Sequence, residues 1–196
     1  MKKNNFFCHS SSVVDKNTKI GHGTKIWHFS HISSGAKIGN NCVLGQNVFI
    51  GKNVVIGSNV KIQNNVSVYE GVIIEDDVFC GPSVVFTNVM NPRSFVERKN
   101  EFKKTNVKLG ASIGANATIV CGVDIGSYSF IAAGAVVTKN VKNFALMIGV
   151  PALQKGWISK LGNKISLPLK GKGKFVCSKT AEVYKLSDNF LKIDEN

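Results

Sequence analysis

Apolar residues recur along this chain with a period of six. Stepping by six from Val14 meets Ile20, Ile26, Ile32, Ile38, Leu44, Ile50, Ile56, Ile62, Val68, Ile74, Cys80 and Phe86, thirteen apolar positions in a row. In a chain that is 43% hydrophobic such a run arises by chance with a probability on the order of 10⁻⁵. Four residues after each comes a small or β-branched residue, as at Thr24, Ser30, Ala36, Cys42, Val48, Val54, Val60 and Val66. The residue directly after the aliphatic is often glycine: Gly21, Gly39, Gly45, Gly51, Gly57 and Gly81. The register breaks after Phe86 and resumes at Val107, Ile113, Ile119, Ile125, Ile131 and Val137. The step from 86 to 107 is 21 residues, not a multiple of six, which predicts an inserted loop of about fifteen residues at about 90–106.

A period of six fits no helix, whose apolar stripe returns every three or four residues. It fits short strands joined by tight turns. The aliphatic residue points inward, the small residue fills a corner, and the glycine is expected to take φ > 0 at the bend. Such a unit cannot bury its apolar face alone, so coils must stack into a continuous core. After Val137 the pattern dissolves. Residues 143–162 predict a short helix following Pro151, Lys170 to Lys174 (KGKGK) reads as a basic turn, and Phe175-Val176 with Val183 to Leu186 predicts a terminal hairpin. The division expected is 1–142 for the repeat with its loop and 143–196 for a C-terminal helix and irregular tail.

Length and composition narrow the classes. At 196 residues the chain supports one substantial core. Lys plus Arg total 25 against 12 Asp plus Glu, a formal charge of +13, which points to anionic partners without naming them. No apolar run is long enough for a membrane span or a signal peptide. The five cysteines are odd in number, far apart and without a CxxC pair, so a reducing cytoplasm is the expected setting.

The hexads over residues 14–142 resemble the hexapeptide-repeat, left-handed parallel β-helix acyltransferases. That resemblance implies an all-β solenoid of three hexads per eighteen-residue coil, a homotrimer with sites between chains, and left-handed coils where the general crossover rule favours the right hand. The segment from Gly110 to Val137 followed by Gly149-Val150-Pro151-Ala152 looks like the coenzyme end of hexapeptide acetyltransferases. Ala115 and Ala133 are eighteen residues apart and should stack, leaving room for the pantetheine arm of acetyl-CoA. Pro151 belongs to the same motif, and Lys139 and Lys155 are candidates to meet the coenzyme phosphates.

Three further stretches carry polar and aromatic residues in place of repeat filler: Ile26 to His31, Gln63 to Glu70, and Phe86 to Ser94. With Phe79 to Pro82 they resemble nucleotide-amino-sugar N-acetyltransferases. The group indicated acetylates the 3-amino group of UDP-2-acetamido-3-amino-2,3-dideoxyglucuronate for surface polysaccharides. A sister group acts on dTDP-3-amino-3,6-dideoxyhexoses. Glu70 and Asn88 differ by eighteen and are expected on adjacent coils, with Asn88 orienting the sugar amine and Glu70 accepting from that amine or holding Asn88. Arg93 is a candidate bidentate partner for a sugar carboxylate. Gln63, Asn64 and Tyr69 are candidates for contacts to the sugar or base. His28 lies a little over three coils from Asn88, roughly 15 Å at about 4.8 Å per coil, too far for a base acting there.

Other classes fit less well. A zinc hydrolyase on such coils needs three gathered histidines, yet His9, His22, His28 and His31 all fall in the first coils, so no metal is expected. A purely structural solenoid leaves the long loop without a purpose. A nucleic-acid-binding module needs a continuous basic stripe, whereas these lysines are dispersed, so no nucleic-acid partner is expected.

Overall fold

A computed structural model describes residues 5–194. The repeat folds as the expected left-handed parallel β-helix, a triangular prism with one two- or three-residue strand per face in each coil. Parallel pairing is direct between coils, with Lys25↔Val43 and Ile26↔Leu44 on the first face, His31↔Phe49 on the second and Lys37↔Val55 on the third. The first face holds ten strands, the second seven and the third six. The helix begins one hexad earlier than Val14, because Phe7-Cys8 already pairs with Lys25-Ile26.

The six-residue stripe is the core. Ile26, Leu44, Ile62, Ile113 and Ile131 on the first face, Ile32, Ile50 and Ile119 on the second, and Val107 and Ile125 on the third are all 0% exposed. Each such side chain contributes roughly 1.5–3 kcal/mol relative to exposure. Their neighbours along the strand point outward, which gives the exposed–buried alternation seen in strand after strand.

The glycines do a different job from the one expected. Gly21, Gly39, Gly45, Gly51, Gly57 and Gly81 do not take positive φ. Instead, a Cβ on Gly39 would lie 2.5 Å from the carbonyl carbon and oxygen of Gly57, and one on Gly81 would lie 2.7 Å from the amide of Ala115. Glycine is required here because successive coils touch backbone to backbone. The left-handed turn falls two residues later, on Asn41, Asn47, Asn53, Asn59 and Asn65 with φ between 55° and 63°. Asparagine tolerates that region better than other L-residues.

The inserted loop leaves the prism without disturbing it. Val72↔Thr105 and Phe79↔Ser112 are 33 residues apart where partners in the preceding coils, such as Lys61↔Phe79, are 18 apart, so 15 residues are extruded while the coils on either side still pair. Thr105 and Asn106, assigned to the loop from sequence, are already in the strand Thr105–Val107. The Lys103 amide donates to the Asn88 carbonyl at 3.0 Å and closes the neck.

Beyond the coils, the predicted helix after Pro151 is absent. Leu153–Ile158 is a strand running antiparallel to Ala145–Ile148, which itself pairs with Phe130-Ile131. The last coil presents an open strand edge with unpaired backbone groups, and covering that edge outweighs local helix preference. The tail is not irregular either. Gly173–Val176, Val183–Ser187 and Phe190–Ile193 form an antiparallel sheet that contains the expected hairpin plus a third strand. It is held against the third corner of the last coils: Tyr128 stacks on Phe144 at 5.4 Å, and Phe144 meets Tyr184 edge-on at 5.6 Å. The buried Tyr184 hydroxyl donates to Glu182 at 3.0 Å and accepts from the Lys160 amide at 3.0 Å. Burial pushes this phenol up to about 12. The hydrogen bond from Lys160 holds the Glu182 carboxyl below its usual range.

Candidate active site

The expected site residues fall on two corners of the prism. Gln63, Asn64, Ala115 and Ala133 lie on the corner between the first and second faces, in coils four, six and seven. Tyr69, Glu70, Asn88, the loop carrying Arg93, and Lys139 lie on the corner between the second and third faces. Within one chain the structure does not bring the two sets together.

On the first corner Ala115 and Ala133 stack as expected: Ser112↔Phe130 and Ile113↔Ile131 set the register, and the Gly134 amide donates to the Ala115 carbonyl at 2.8 Å. The corner has a second property that follows from its side chains. At some corners the amide at the second position is capped by a side chain from the next coil, as when His22 donates to Asn40 Oδ1 at 2.9 Å, Ser58 to Asp76 Oδ1 at 2.6 Å and Gln46 to Asn64 Oδ1 at 2.9 Å, whereas the amides of His28, Lys52, Glu70 and Asp76 make no hydrogen bond among the described residues. Above Asn64 this capping stops. Pro82 carries no N–H. Ala115 and Ala133 offer no acceptor to the coil below, so the amides of Asn64, Ala115 and Ala133 make no hydrogen bond among the described residues. The result is a row of backbone donors facing outward. Its signal in the sequence is the absence of Asn, Asp and Ser from Pro82, Ala115 and Ala133, the positions equivalent to Asn64 in the coils above.

Next to this row lies the Gly149-to-Ala152 segment. Val136 donates to the Gly149 carbonyl at 3.1 Å, and the Ala152 amide donates to the Val136 carbonyl at 2.7 Å. Pro151 is therefore beside the top of the first corner. Lys155 is exposed on the strand Leu153–Ile158 at a bulge opposite Leu146 and Met147. Lys139 is exposed one face away from the alanines. Lower on the first corner, Trp27, His28, Gly45, Gln46, Gln63 and Asn64 line a groove. His28, in the wall of this groove, lies against His9 with ring centres 3.6 Å apart and planes tilted by 33°.

On the second corner, Glu70 and Asn88 occupy equivalent positions of adjacent coils, as the pairing Ser67↔Val85 requires. The Glu70 carboxylate, however, turns to the coil below and accepts from Asn53 Nδ2 at 3.2 Å. The Asn88 side chain makes no hydrogen bond among the described residues, which leaves its amide available at the mouth of the loop. The loop braces itself: Arg98 Nη1 donates to both Glu101 carboxylate oxygens at 2.8 Å, and Val96 donates to the Arg93 carbonyl at 3.1 Å. Arg93 is exposed, and its guanidinium donates only to the Pro92 carbonyl at 3.2 Å. Tyr69 packs on Phe49 at 5.9 Å, on this corner and not beside Gln63 and Asn64.

Comparison with known proteins agrees with the coil geometry. The family model described as "Bacterial transferase hexapeptide (six repeats)" matches residues 17–52, and "Hexapeptide repeat of succinyl-transferase" matches residues 35–70 and 109–139. Repeat and fold together define the class, a left-handed parallel β-helix of hexapeptide repeats, similar over residues 17–70 and 109–139 to those described for bacterial transferases. The chain is 47% identical over 64 residues to dTDP-3-amino-3,6-dideoxy-alpha-D-galactopyranose 3-N-acetyltransferase of Aneurinibacillus thermoaerophilus, a match covering 33% of each chain. It is 34% identical over 82 residues to a putative acetyltransferase of Schizosaccharomyces pombe, covering 40% of each. The chain thus aligns with a third to two-fifths of the length of these curated relatives. Among solved structures it is similar to a hexapeptide-repeat acetyltransferase of Vibrio cholerae complexed with acetyl coenzyme A, at 27% identity and a TM-score of 0.55, covering 63% of this chain and 70% of that one.

Proposed function

We propose that this protein is an acetyl-CoA-dependent N-acetyltransferase acting on a nucleotide-linked 3-amino sugar, working in the cytoplasm where acetyl-CoA is supplied. The observation that carries the proposal is the row of uncapped amides at Asn64, Ala115 and Ala133 beside the Gly149-to-Ala152 segment. Unpaired backbone donors at a water-accessible corner suit the amide carbonyls of a pantetheine arm, and the methyl side chains of Ala115 and Ala133 let it approach. The Vibrio relative with this fold binds acetyl coenzyme A, which supports the reading.

The reaction requires a neutral amine nitrogen to attack the thioester carbon. An N–C bond forms, the C–S bond breaks, and the amine proton passes to the departing sulfur. Holding the amine on line with the carbonyl is the main task left to the protein. Asn88 performs it through its unpaired side-chain amide, and no protein base is needed. Glu70, on the same corner, accepts from Asn53 and does not hold Asn88.

Two sets of residues on different corners of one chain meet when copies pack side by side. In a parallel homotrimer equivalent coils stay level. Asn88 of one copy then faces the fifth coil of its neighbour at Pro82, between the groove at His28 and Gln63 below and the uncapped amides of Ala115 and Ala133 above.

Two sugars are supported equally. The Phe86-to-Ser94 stretch and the Arg93 guanidinium, which has no ion pair among the described residues, favour UDP-2-acetamido-3-amino-2,3-dideoxyglucuronate as the substrate, its diacetamido product feeding a surface polysaccharide. The Aneurinibacillus relative favours a dTDP-linked 3-amino-3,6-dideoxyhexose. Thiol release from acetyl-CoA, measured with each nucleotide sugar, tests the proposal. No turnover with any nucleotide 3-amino sugar refutes it. Arg93→Ala should raise KM for the uronate at least tenfold and spare acetyl-CoA. An unchanged KM would leave the dTDP sugar as the better reading.

A further inference from the structure

The terminal sheet carries an arrangement that neither the coils nor the acetyl-transfer reading uses. On its outer side Lys174 pairs across strands with Lys185, and Lys185 with Lys192, so three ammonium groups stand in one row. All three side chains are exposed. None forms an ion pair among the described residues. Like charges placed directly opposite each other in a sheet disfavour folding. Lysine is common on edge strands, where it blocks unwanted pairing. That role accounts for Lys174 and Lys192 but not for Lys185, which sits on the central strand.

The row is flanked by apolar side chains on the same side of the sheet. Val176 is 54% exposed on one flank and Phe190 is 53% exposed on the other. Lys142 lies 4.9 Å over the Phe190 ring and adds a fourth cation at that end. The inner side of the sheet is fully engaged, since Tyr184, Leu186 and Leu191 are buried against the end of the solenoid. The outer side is therefore a basic patch with apolar borders on a rigid base; Asp194, just beyond the last strand, lines a shallow groove with Lys174 and Lys185 and offsets one of these charges.

We propose that this sheet docks the protein onto an anionic membrane surface, with the lysine row at the headgroups and Phe190 and Val176 at the boundary with the acyl chains. Charge complementarity selects an anionic surface. The exposed apolar flanks select lipid over nucleic acid, which would meet them only with backbone phosphates. The patch is also distinct from the coenzyme site: the sheet packs on the corner at Tyr128 and Phe144, whereas the uncapped amides line a different corner. Docking is peripheral, since among the described residues no helix is long and apolar enough to cross a membrane.

The test is co-sedimentation of the full chain with vesicles of phosphatidylcholine alone and of phosphatidylcholine mixed with phosphatidylglycerol. Binding is expected only to the mixed vesicles and should fall with added salt. The triple variant Lys174→Gln, Lys185→Gln, Lys192→Gln should weaken binding by about a hundredfold at low salt. A control triple variant, Lys19→Gln, Lys25→Gln, Lys37→Gln, changes the same charge on the coils and should keep most of the binding. Phe190→Ser should lower affinity for the mixed vesicles without abolishing it. The exposed lysines should change the melting temperature little, so a folding failure is distinguishable. Equal loss in both triple variants, no requirement for anionic lipid, or tighter binding of duplex DNA than of vesicles through the same row would each overturn the proposal. The acetyl-transfer assay is independent of it, since none of these lysines contributes to the proposed active site.

Discussion

Substituting Gly114 by alanine tests the idea that glycine in this solenoid permits contact between coils. A Cβ on Gly114 would lie 2.5 Å from the Ala133 amide nitrogen and 2.9 Å from the Ala132 carbonyl carbon. Ordinary contact begins near 3.4 Å, so the sixth and seventh coils must part by about 0.9 Å (3.4 − 2.5) at this corner. Two bonds between coils cross the gap, Gly114 N to Ile131 O and Gly134 N to Ala115 O, both 2.8 Å. Stretched by that amount they pass the limit of a hydrogen bond. Losing them costs about 1–3 kcal/mol in total, and overpacking adds about 1–3 kcal/mol. The lower backbone freedom of unfolded alanine returns about 0.4–1 kcal/mol. The net expectation is a loss of about 3 kcal/mol. Urea unfolding followed by fluorescence of the buried Trp157 measures it. Gly156→Ala is the control: its nearest neighbour, Leu146 Cδ2, would be an ordinary 3.8 Å away, and its stability should stay within about 0.5 kcal/mol of the parent. If Gly114→Ala unfolds within 1 kcal/mol of the parent, glycine here is not needed for close approach and the account of the corners is wrong.

Two further outcomes are expected. Asn88→Ala should lower kcat at least tenfold, and by more than His28→Ala, which should act mainly on KM for the nucleotide sugar; the reverse ranking in steady-state kinetics would remove Asn88 from the reacting centre. The terminal sheet should loosen in alkali. The folded Tyr184 phenol is raised to about 12 from an unfolded value near 10, so its contribution is complete below pH 10 and lost as pH rises through 12. Tyr184→Phe should flatten that part of the stability curve; an unchanged alkaline limb in Tyr184→Phe would contradict this.

Much of the fold was legible because the hexad signal is local and repeated. The stripe from Ile26 to Val137 predicted the buried face residue by residue, and the 21-residue gap after Phe86 predicted an excursion of fifteen. What the pattern hid was the cause behind its glycines. Sequence records that Gly39 follows Ile38, but whether that glycine serves φ or coil contact depends on a residue eighteen positions away. The misplaced helix after Pro151 has a similar origin: local spacing says nothing of the open strand edge that Leu153–Ile158 covers. The site was partly legible. Eighteen-residue arithmetic placed Ala115 with Ala133 and Glu70 with Asn88, while the direction of the Glu70 carboxylate toward Asn53 depends on side-chain geometry. That the two groups stand on different corners was implicit in the same arithmetic, because Gln63 and Tyr69 are six residues, one face, apart.

The fifteen extruded residues leave the strands on either side in register, with Val72 still beside Thr105 and Phe79 beside Ser112. Scaffold and loop are therefore separable inheritances. The segment from Asn88 to Lys104 can lengthen, shorten or be exchanged for that of a relative while every rung of the ladder persists, so what the loop contacts can drift without renegotiating stability. A chimera carrying a foreign loop between Thr87 and Thr105 is a graft onto an unchanged trunk.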